Sequence, residues 1–165
     1  MNTQERSLNS IQAIDERMIS FFQDGAKMLG LPKSVGEIFG LLYASPKPLT
    51  MANIVGRLEI SKGSVSQGLK MLRTLGAVRE VDFEDDRKTY FQADVELKKI
   101  VGGFIREEIR PHLKSGQGKL EALRVEVDSV EDPELKEFYE ERVERLGRWA
   151  KKTSLVLPLL QKFLG

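Results

Sequence analysis

Residues 50–76, TMANIVGRLEISKGSVSQGLKMLRTLG, decide the fold, because they predict two helices joined by a tight turn. Thr50 and Ser61 are the expected N-caps, since a side-chain hydroxyl can accept a hydrogen bond from a first-turn amide that lacks a partner in the helix. Gly76 can adopt the left-handed conformation that ends the second helix. Apolar residues recur at helical spacing and predict one buried face on each helix: Met51, Ile54, Val55 and Leu58 on the first, and Val65, Leu69 and Leu72 on the second.

The second helix leaves small, hydrogen-bonding and basic side chains away from this apolar face: Ser61, Lys62, Gly63, Ser64, Ser66, Gln67 and Lys70. The sequence between Ile60 and Gly76 contains no Asp or Glu. A DNA major groove admits a helix, and its base edges offer partners for amide and hydroxyl groups. A helix N-terminus also attracts phosphate. These seven residues therefore predict a DNA recognition helix, although an ordinary helical hairpin with a polar outer face fits the same pattern.

The next segment, residues 77–93, predicts a β-hairpin. Residues 77–83 alternate in the manner of a strand, 84–86 form the turn, and 87–93 return as the second strand. Arg87 and Lys88 lie at the predicted tip, where they could contact phosphate or enter the minor groove. A helix-turn-helix followed by a hairpin with a basic tip is typical of a winged helix. The three acidic residues of the turn leave open a purely structural hairpin with solvated charges.

Three segments together resemble the GbsR-like branch of the MarR superfamily of transcriptional regulators: LPKSVGEIFGLLYASPKPLT (31–50), ISKGSVS (60–66) and DDRKTYF (85–91). The resemblance covers residues 31–101, is weaker before Leu31, and is very weak after Lys114. An Asn that is common in the family would fall at Ser64, a departure that bears on sequence preference. The resemblance implies a dimeric transcriptional regulator that binds double-stranded DNA and represses transcription in response to a small effector. Regulators of this family are often connected with osmoprotectant or choline metabolism.

An effector of the kind that the resemblance implies would carry a quaternary ammonium group, which binds best in a cage of aromatic rings. The candidate residues for effector binding are Phe21, Phe22, Phe104, Tyr139 and Trp149. Aromatic residues at helical spacing are more often part of a core, so this prediction has an ordinary structural alternative.

Long amphipathic helices are predicted on both sides of the winged helix, over residues 8–29 and 133–163. Pro133 suits the first turn of the second of these helices. Their apolar faces exceed what one small domain can cover, which predicts a two-fold homodimer. The expected fold is mainly α, a winged helix-turn-helix domain with long N- and C-terminal dimerisation helices. The predicted domains are an N-terminal dimerisation helix (1–30), a DNA-binding domain (31–111) and a C-terminal helical dimerisation region (112–165).

Several local boundaries can also be predicted. Ser34 is expected to cap a helix over 34–45, with Glu37 completing a capping box. Pro111 is expected to end a helix that precedes it. The sequence 115–118, Ser-Gly-Gln-Gly, is expected to be a flexible junction.

Composition excludes several classes of function. The chain has 165 residues, a formal net charge of +1, no Cys and a single His, His112. It can form no disulfide, and a metal site or cofactor is not expected. No nucleophile–histidine pairing or phosphate-binding Gly loop is evident, so an enzyme is not expected. The absence of a signal peptide and of an apolar run of about 18 residues predicts a cytoplasmic protein without membrane association. Near-neutral charge leaves a second hypothesis open, namely a winged-helix protein-interaction module that does not bind DNA.

Overall fold

The computed structural model describes residues 3–83 and 87–164, and most of them are helical. The first part of the chain contains α1 (Thr3–Met28), α2 (Lys33–Ala44), β1 (Leu49–Thr50), α3 (Met51–Leu58), α4 (Lys62–Thr74), β2 (Val78–Val81) and β3 (Tyr90–Ala93). It is followed by α5 (Leu97–Phe104), a π-helical turn (Ile105–Ile109), α6 (Arg110–Asp128) and α7 (Pro133–Leu164). The chain divides into two compact units between Ile100 and Val101. The order of elements confirms a mainly α, winged helix-turn-helix fold. The three functional domains proposed from sequence stay a prediction, because compactness does not test dimerisation or DNA binding.

The helix-turn-helix is formed by α3 and α4, and its predicted caps are confirmed. Thr50 Oγ1 accepts a hydrogen bond from the Asn53 amide at 3.2 Å, while Asn53 Oδ1 accepts one from the Thr50 amide at 3.0 Å. This reciprocal capping box satisfies two donors at the start of α3. Ser61 Oγ accepts from the Ser64 amide at 3.1 Å and so caps α4. Gly76 has a φ of 73°, the left-handed conformation expected at the end of α4.

The wing is a three-stranded antiparallel sheet with strand order β1-β3-β2. Val78 pairs with Ala93 and Val81 with Tyr90, while the edge strand β1 pairs Leu49 with Phe91. Both hairpin strands are shorter than the predicted 77–83 and 87–93, because the pairing ends at Val81 and Tyr90. The turn predicted at 84–86 lies outside the described residues.

The core of the first unit lies where α2, α3 and α4 meet, with Ile38, Ile54 and Val65 fully buried. Helix α1 packs on α2 across two glycines of α2, and a methyl group added at Gly40 would lie only 2.7 Å from the Cα atom of Ile19. The two backbones therefore approach more closely than any residue with a side chain would allow. Glycine at this position fixes the docking of the N-terminal helix.

The prediction that Ser34 caps α2 is wrong. The helix begins one residue earlier, at Lys33, and Pro32 occupies the N-cap position without a side-chain hydrogen bond. Proline has a fixed φ and leads directly into the first turn, so Ser34 is already inside the helix. Glu37 has other partners, because it forms an ion pair with Lys33 at 3.1 Å and accepts from Gln23 Nε2 at 3.2 Å.

In the second unit, the predictions that Pro111 ends a helix and that 115–118 is a flexible junction are both wrong. A π-helical turn precedes α6, in which the Arg110 amide donates to the carbonyl of Ile105 five residues earlier. The wider turn places Pro111 in the first turn of α6, where its missing N–H is not needed. Residues 115–118 lie inside α6, which packs against α7. Tertiary packing thus outweighs the helix-breaking tendency of the two glycines.

Helix α7 begins as predicted. Asp132 Oδ1 accepts hydrogen bonds from the amides of Glu134 at 2.9 Å and Leu135 at 3.1 Å, with Pro133 at the first helical position. The helix continues through Pro158 to Leu164. Over the described residues, no helix is long and apolar enough to cross a membrane.

Candidate nucleic-acid interface

The outer face of α4 carries the residues that the sequence assigns to DNA binding. Val65, Leu69 and Leu72 are buried against the domain, whereas Lys62, Gly63, Ser66, Gln67 and Lys70 are exposed. Gly68 is also buried, because it packs against the side chain of Ile38. The helix is therefore anchored by one face and presents an uninterrupted polar and basic face to solvent.

The two hydroxyls at the start of α4 have a structural role. Ser61 Oγ lies 2.9 Å from Ser64 Oγ and also accepts from the Ser64 amide. Ser64 is half-buried, so its hydroxyl is engaged in the cap instead of projecting outward. Gln67 is exposed one turn further along, and its amide has no hydrogen-bond partner within the described residues. An exposed Gln amide can bind the major-groove edge of adenine in a bidentate manner.

A cleft of about 1140 Å³ separates α4 from the wing. We call it the helix–wing cleft. One wall is the side of α4 that bears Ser66, Lys70 and Arg73, and the other includes Arg79 and Lys88 from the hairpin. Arg87, the other predicted wing residue, is exposed next to Lys88. Of the predicted cations, the structure thus brings Lys70 of the helix and Lys88 of the wing to one cleft, whereas Lys62 and Arg87 are not among its lining residues.

The charge of the helix–wing cleft is predominantly positive. Four cationic side chains line it, and Glu80 is the one acidic residue among the described residues that do so. The Arg73 Nη1 atom lies 2.7 Å from Glu80 Oε1, which joins α4 to β2. Arg79 Nη2 donates to Gln92 Oε1 at 3.1 Å across the hairpin. A groove lined by Lys and Arg is suited to the phosphates of a nucleic-acid backbone.

Sequence reasoning missed Arg73, Arg79 and Glu80. Helical spacing could have found Arg73, because it follows Ser66 and Lys70 on one face of α4. The ion pair with Glu80 could not be found in this way, since it depends on how β2 lies against α4.

The five aromatic residues predicted to bind an effector are distributed over both units. Phe21 and Phe22 form an edge-to-face pair with centroids 5.3 Å apart, and Phe22 also packs on Phe39 and Tyr43. In the second unit, Phe104, Tyr139 and Trp149 make no ring–ring contact with one another among the described residues. Tyr139 pairs instead with Phe138. Phe22 thus belongs to the packing between α1 and α2, and the aromatic cage stays a prediction. Among the described residues, no group of three or more His, Asp or Glu side chains could hold a metal ion.

Comparison with known proteins supports the resemblance that the sequence suggested. No protein-family model matches the chain. The chain is 24% identical over 98 residues to the HTH-type transcriptional repressor OpcR of Bacillus subtilis (strain 168), a match covering 55% of this chain and 53% of that protein. It is 26% identical over 95 residues to the HTH-type transcriptional repressor GbsR of the same organism, covering 58% and 52%. The chain therefore spans about half the length of these two relatives.

A crystal structure described as a transcriptional regulator has the same fold, with a TM-score of 0.56, 21% identity, and coverage of 93% of this chain and 99% of that one. The two named relatives confirm the resemblance to GbsR-like regulators, and both are described as HTH-type transcriptional repressors.

Proposed function

We propose that this chain is a sequence-specific DNA-binding transcriptional regulator that acts as a homodimer. The observation that carries the proposal is the joint placement of an exposed recognition face on α4 and a cation-lined cleft between that helix and the wing. A helix of this width fits a major groove, and the cleft beside it can accommodate the phosphate backbone that borders the groove.

The residues divide into two roles on this proposal. Gln67 contacts base edges, because it is exposed at the centre of the outer face of α4. Lys62, Lys70, Arg87 and Lys88 contact phosphate, since a Lys or Arg side chain binds phosphate through charge without regard to sequence. Ser61, Gly63, Ser64 and Ser66 allow the start of α4 to approach the backbone closely.

Dimerisation is supported by apolar side chains that each unit leaves in solvent. In α1, Ile11, Ile14 and Phe21 are at least half exposed, and in α7 the exposed fractions reach 67% at Leu159 and 90% at Phe163. Apolar surface of this extent usually marks an interaction site. A second copy of the chain is the natural partner for a regulator that binds a two-fold symmetric operator.

Repression is supported by the names of the two relatives, both of which are repressors. Control by a small effector and a cytoplasmic location are proposed on the sequence resemblance and on the DNA-binding role. The second candidate function is a winged-helix protein-interaction module. The observation in its favour is the net charge of only +1.

A mobility-shift assay with the full chain and sheared genomic DNA, at low and moderate salt, separates the two functions. A regulator should retard the DNA at low salt, and the logarithm of its affinity should fall linearly with the logarithm of the salt concentration as counterions are released. Selection of bound genomic fragments would then identify the operator. An interaction module would leave the DNA unshifted at the lowest salt concentration, which would contradict the proposal.

A further inference from the structure

The ion pair between Arg73 and Glu80 lies inside the helix–wing cleft, where phosphate would bind on the proposed function. Arg73 follows Ser66 by seven residues and Lys70 by three, so these side chains lie on the same side of α4. Arg73 Nη1 reaches Glu80 Oε1 on the opposite wall at 2.7 Å. A guanidinium that binds a carboxylate can also bind a phosphate, because both groups offer charged oxygen acceptors.

We infer that Arg73 is a phosphate-binding residue and that Glu80 competes with DNA phosphate for it. This inference rests on the proposed function. In the free protein Glu80 neutralises Arg73, and in the complex a backbone phosphate replaces the carboxylate. Glu80 thus lowers the affinity for every DNA sequence by about the same factor, because the contact that it blocks carries no base information.

The exposure of the pair allows the exchange. The Arg73 side chain is 51% exposed and the Glu80 side chain 44%, so solvent and salt screen the interaction. Exposed pairs of this kind are weak, and a phosphate that brings its own charge and several oxygen acceptors competes well with a single carboxylate. A buried pair would resist opening.

The wing does not depend on this pair for its position. The Ala77 amide donates to the carbonyl of Leu72 at 2.8 Å, which fixes the exit of the chain from α4. Val78 is buried, and β2 is paired with β3 over its whole length. Because backbone bonds and a buried side chain already hold β2 against the domain, the carboxylate of Glu80 is available for another role.

The charge pattern of the cleft supports the same role. Glu80 is the one acid among the described residues that line the cleft, together with the cations Lys70, Arg73, Arg79 and Lys88. A carboxylate there opposes the approach of DNA unless a cation stands between it and the phosphate. The Arg73 side chain extends from α4 to Glu80, so its guanidinium can turn from the carboxylate to a phosphate without leaving the cleft.

The test measures binding of the full chain to a selected genomic site and to a random duplex of equal length, by fluorescence anisotropy over a series of salt concentrations. We expect Glu80→Gln to raise affinity for both duplexes by about two- to five-fold, the range that corresponds to an exposed ion pair. Arg73→Gln should weaken both and reduce the slope of log affinity against log salt by about 0.9, the value for one lost phosphate contact.

The double variant Arg73→Gln/Glu80→Gln is decisive. If Glu80 acts by occupying Arg73, the double variant should bind like Arg73→Gln alone. Asp82→Asn is the matched control, because Asp82 is an exposed acid just beyond β2 that is not among the cleft-lining residues. Circular dichroism and thermal melting of each variant check that the fold is retained.

Three results would overturn the inference. Unchanged or weaker binding by Glu80→Gln would show that the pair supports the wing instead of blocking a contact. If Glu80→Gln raised the affinity for DNA by the same factor in the Arg73→Gln background, the effect of Glu80 would be general charge repulsion. The same conclusion would follow if Asp82→Asn raised the affinity as much as Glu80→Gln does. If the unaltered chain failed to bind any duplex at low salt, the proposed function itself would fail, whereas normal binding with the wrong pattern among variants would refute this inference alone.

Discussion

Replacing Gly40 with Ala should destabilise the first unit, although Ala is ordinarily the better helix residue. The added methyl group would lie 2.7 Å from the Cα atom of Ile19 and 3.1 Å from the carbonyl oxygen of Met18, both in α1. Carbon atoms prefer separations of about 3.5–4.0 Å, so α1 must retreat by about 1 Å. The obstacle is backbone, which cannot rotate away as a side-chain end would.

The magnitude follows from two opposing effects. Overpacking costs about 1–3 kcal/mol, and a rigid backbone contact places this site at about 2–3 kcal/mol. The higher helix propensity of Ala returns about 1 kcal/mol. The net loss should therefore be about 1–2 kcal/mol, which lowers the melting temperature by about 5–15 °C for a cooperative unit near 100 residues.

Gly56→Ala is the matched control, because Gly56 lies within α3 and a methyl group there meets nothing within 4 Å. Its conformation is not left-handed, so the same substitution should stabilise by about 1 kcal/mol. Both variants are melted at one protein concentration, since dimerisation would make the midpoint concentration-dependent. A Gly40→Ala variant as stable as the unaltered chain, or a Gly56→Ala variant equally destabilised, would refute the close approach of α1 and α2.

Three further predictions concern DNA binding, assembly and protonation. Gln67→Ala should weaken the cognate complex by about 1–3 kcal/mol and leave the slope of log affinity against log salt unchanged. Arg87→Ala should weaken binding to specific and random DNA alike and lower that slope by about one. If both variants changed the affinities for specific and random DNA by the same ratio and with the same slope, the division of roles would be contradicted. Leu159→Glu should shift the proposed dimer toward monomer in sedimentation at micromolar concentration, because Leu159 is 67% exposed and apolar. Arg145 donates a hydrogen bond to Glu141 that lowers the pKa of this carboxyl below its ordinary value, so Arg145→Gln should raise that pKa in an NMR titration. The stabilising contribution of Glu141 is present at neutral pH and is lost as the pH falls through the lowered pKa.

Controls for these variants are available in the same chain. Lys152→Glu alters the charge of an exposed position in α7 without removing an apolar side chain, so it should leave the dimer intact. A monodisperse monomer of the unaltered chain would contradict the proposed homodimer directly. An unchanged titration of Glu141 in Arg145→Gln would show that the ion pair does not persist in solution.

The sequence by itself determined the helix-turn-helix and the face of α4 that is left exposed to solvent. These features are local: Thr50 and Ser61 cap helices within their own first turns, and Gly76 ends α4 with its own backbone conformation. The spacing of Val65 and Leu69 alone decides which side of the helix is buried. Because such interactions join residues a few positions apart, a single sequence is sufficient to predict them.

Only the tertiary structure decided the helix continuing through Pro111, the α6 conformation of residues 115–118, and the Arg73–Glu80 pair in the cleft. Local propensity argues for a break at Pro111 and at the glycines, but the wider π turn and packing on α7 stabilise a continuous helix. The pair between Arg73 and Glu80 needs β2 to lie beside α4, a relation set by strand pairing and by the exit of the chain at Ala77. The physical reason is the same in each case. The free energy that decides the conformation comes from contacts with another element, and these contacts cannot be predicted from the spacing of residues along one element.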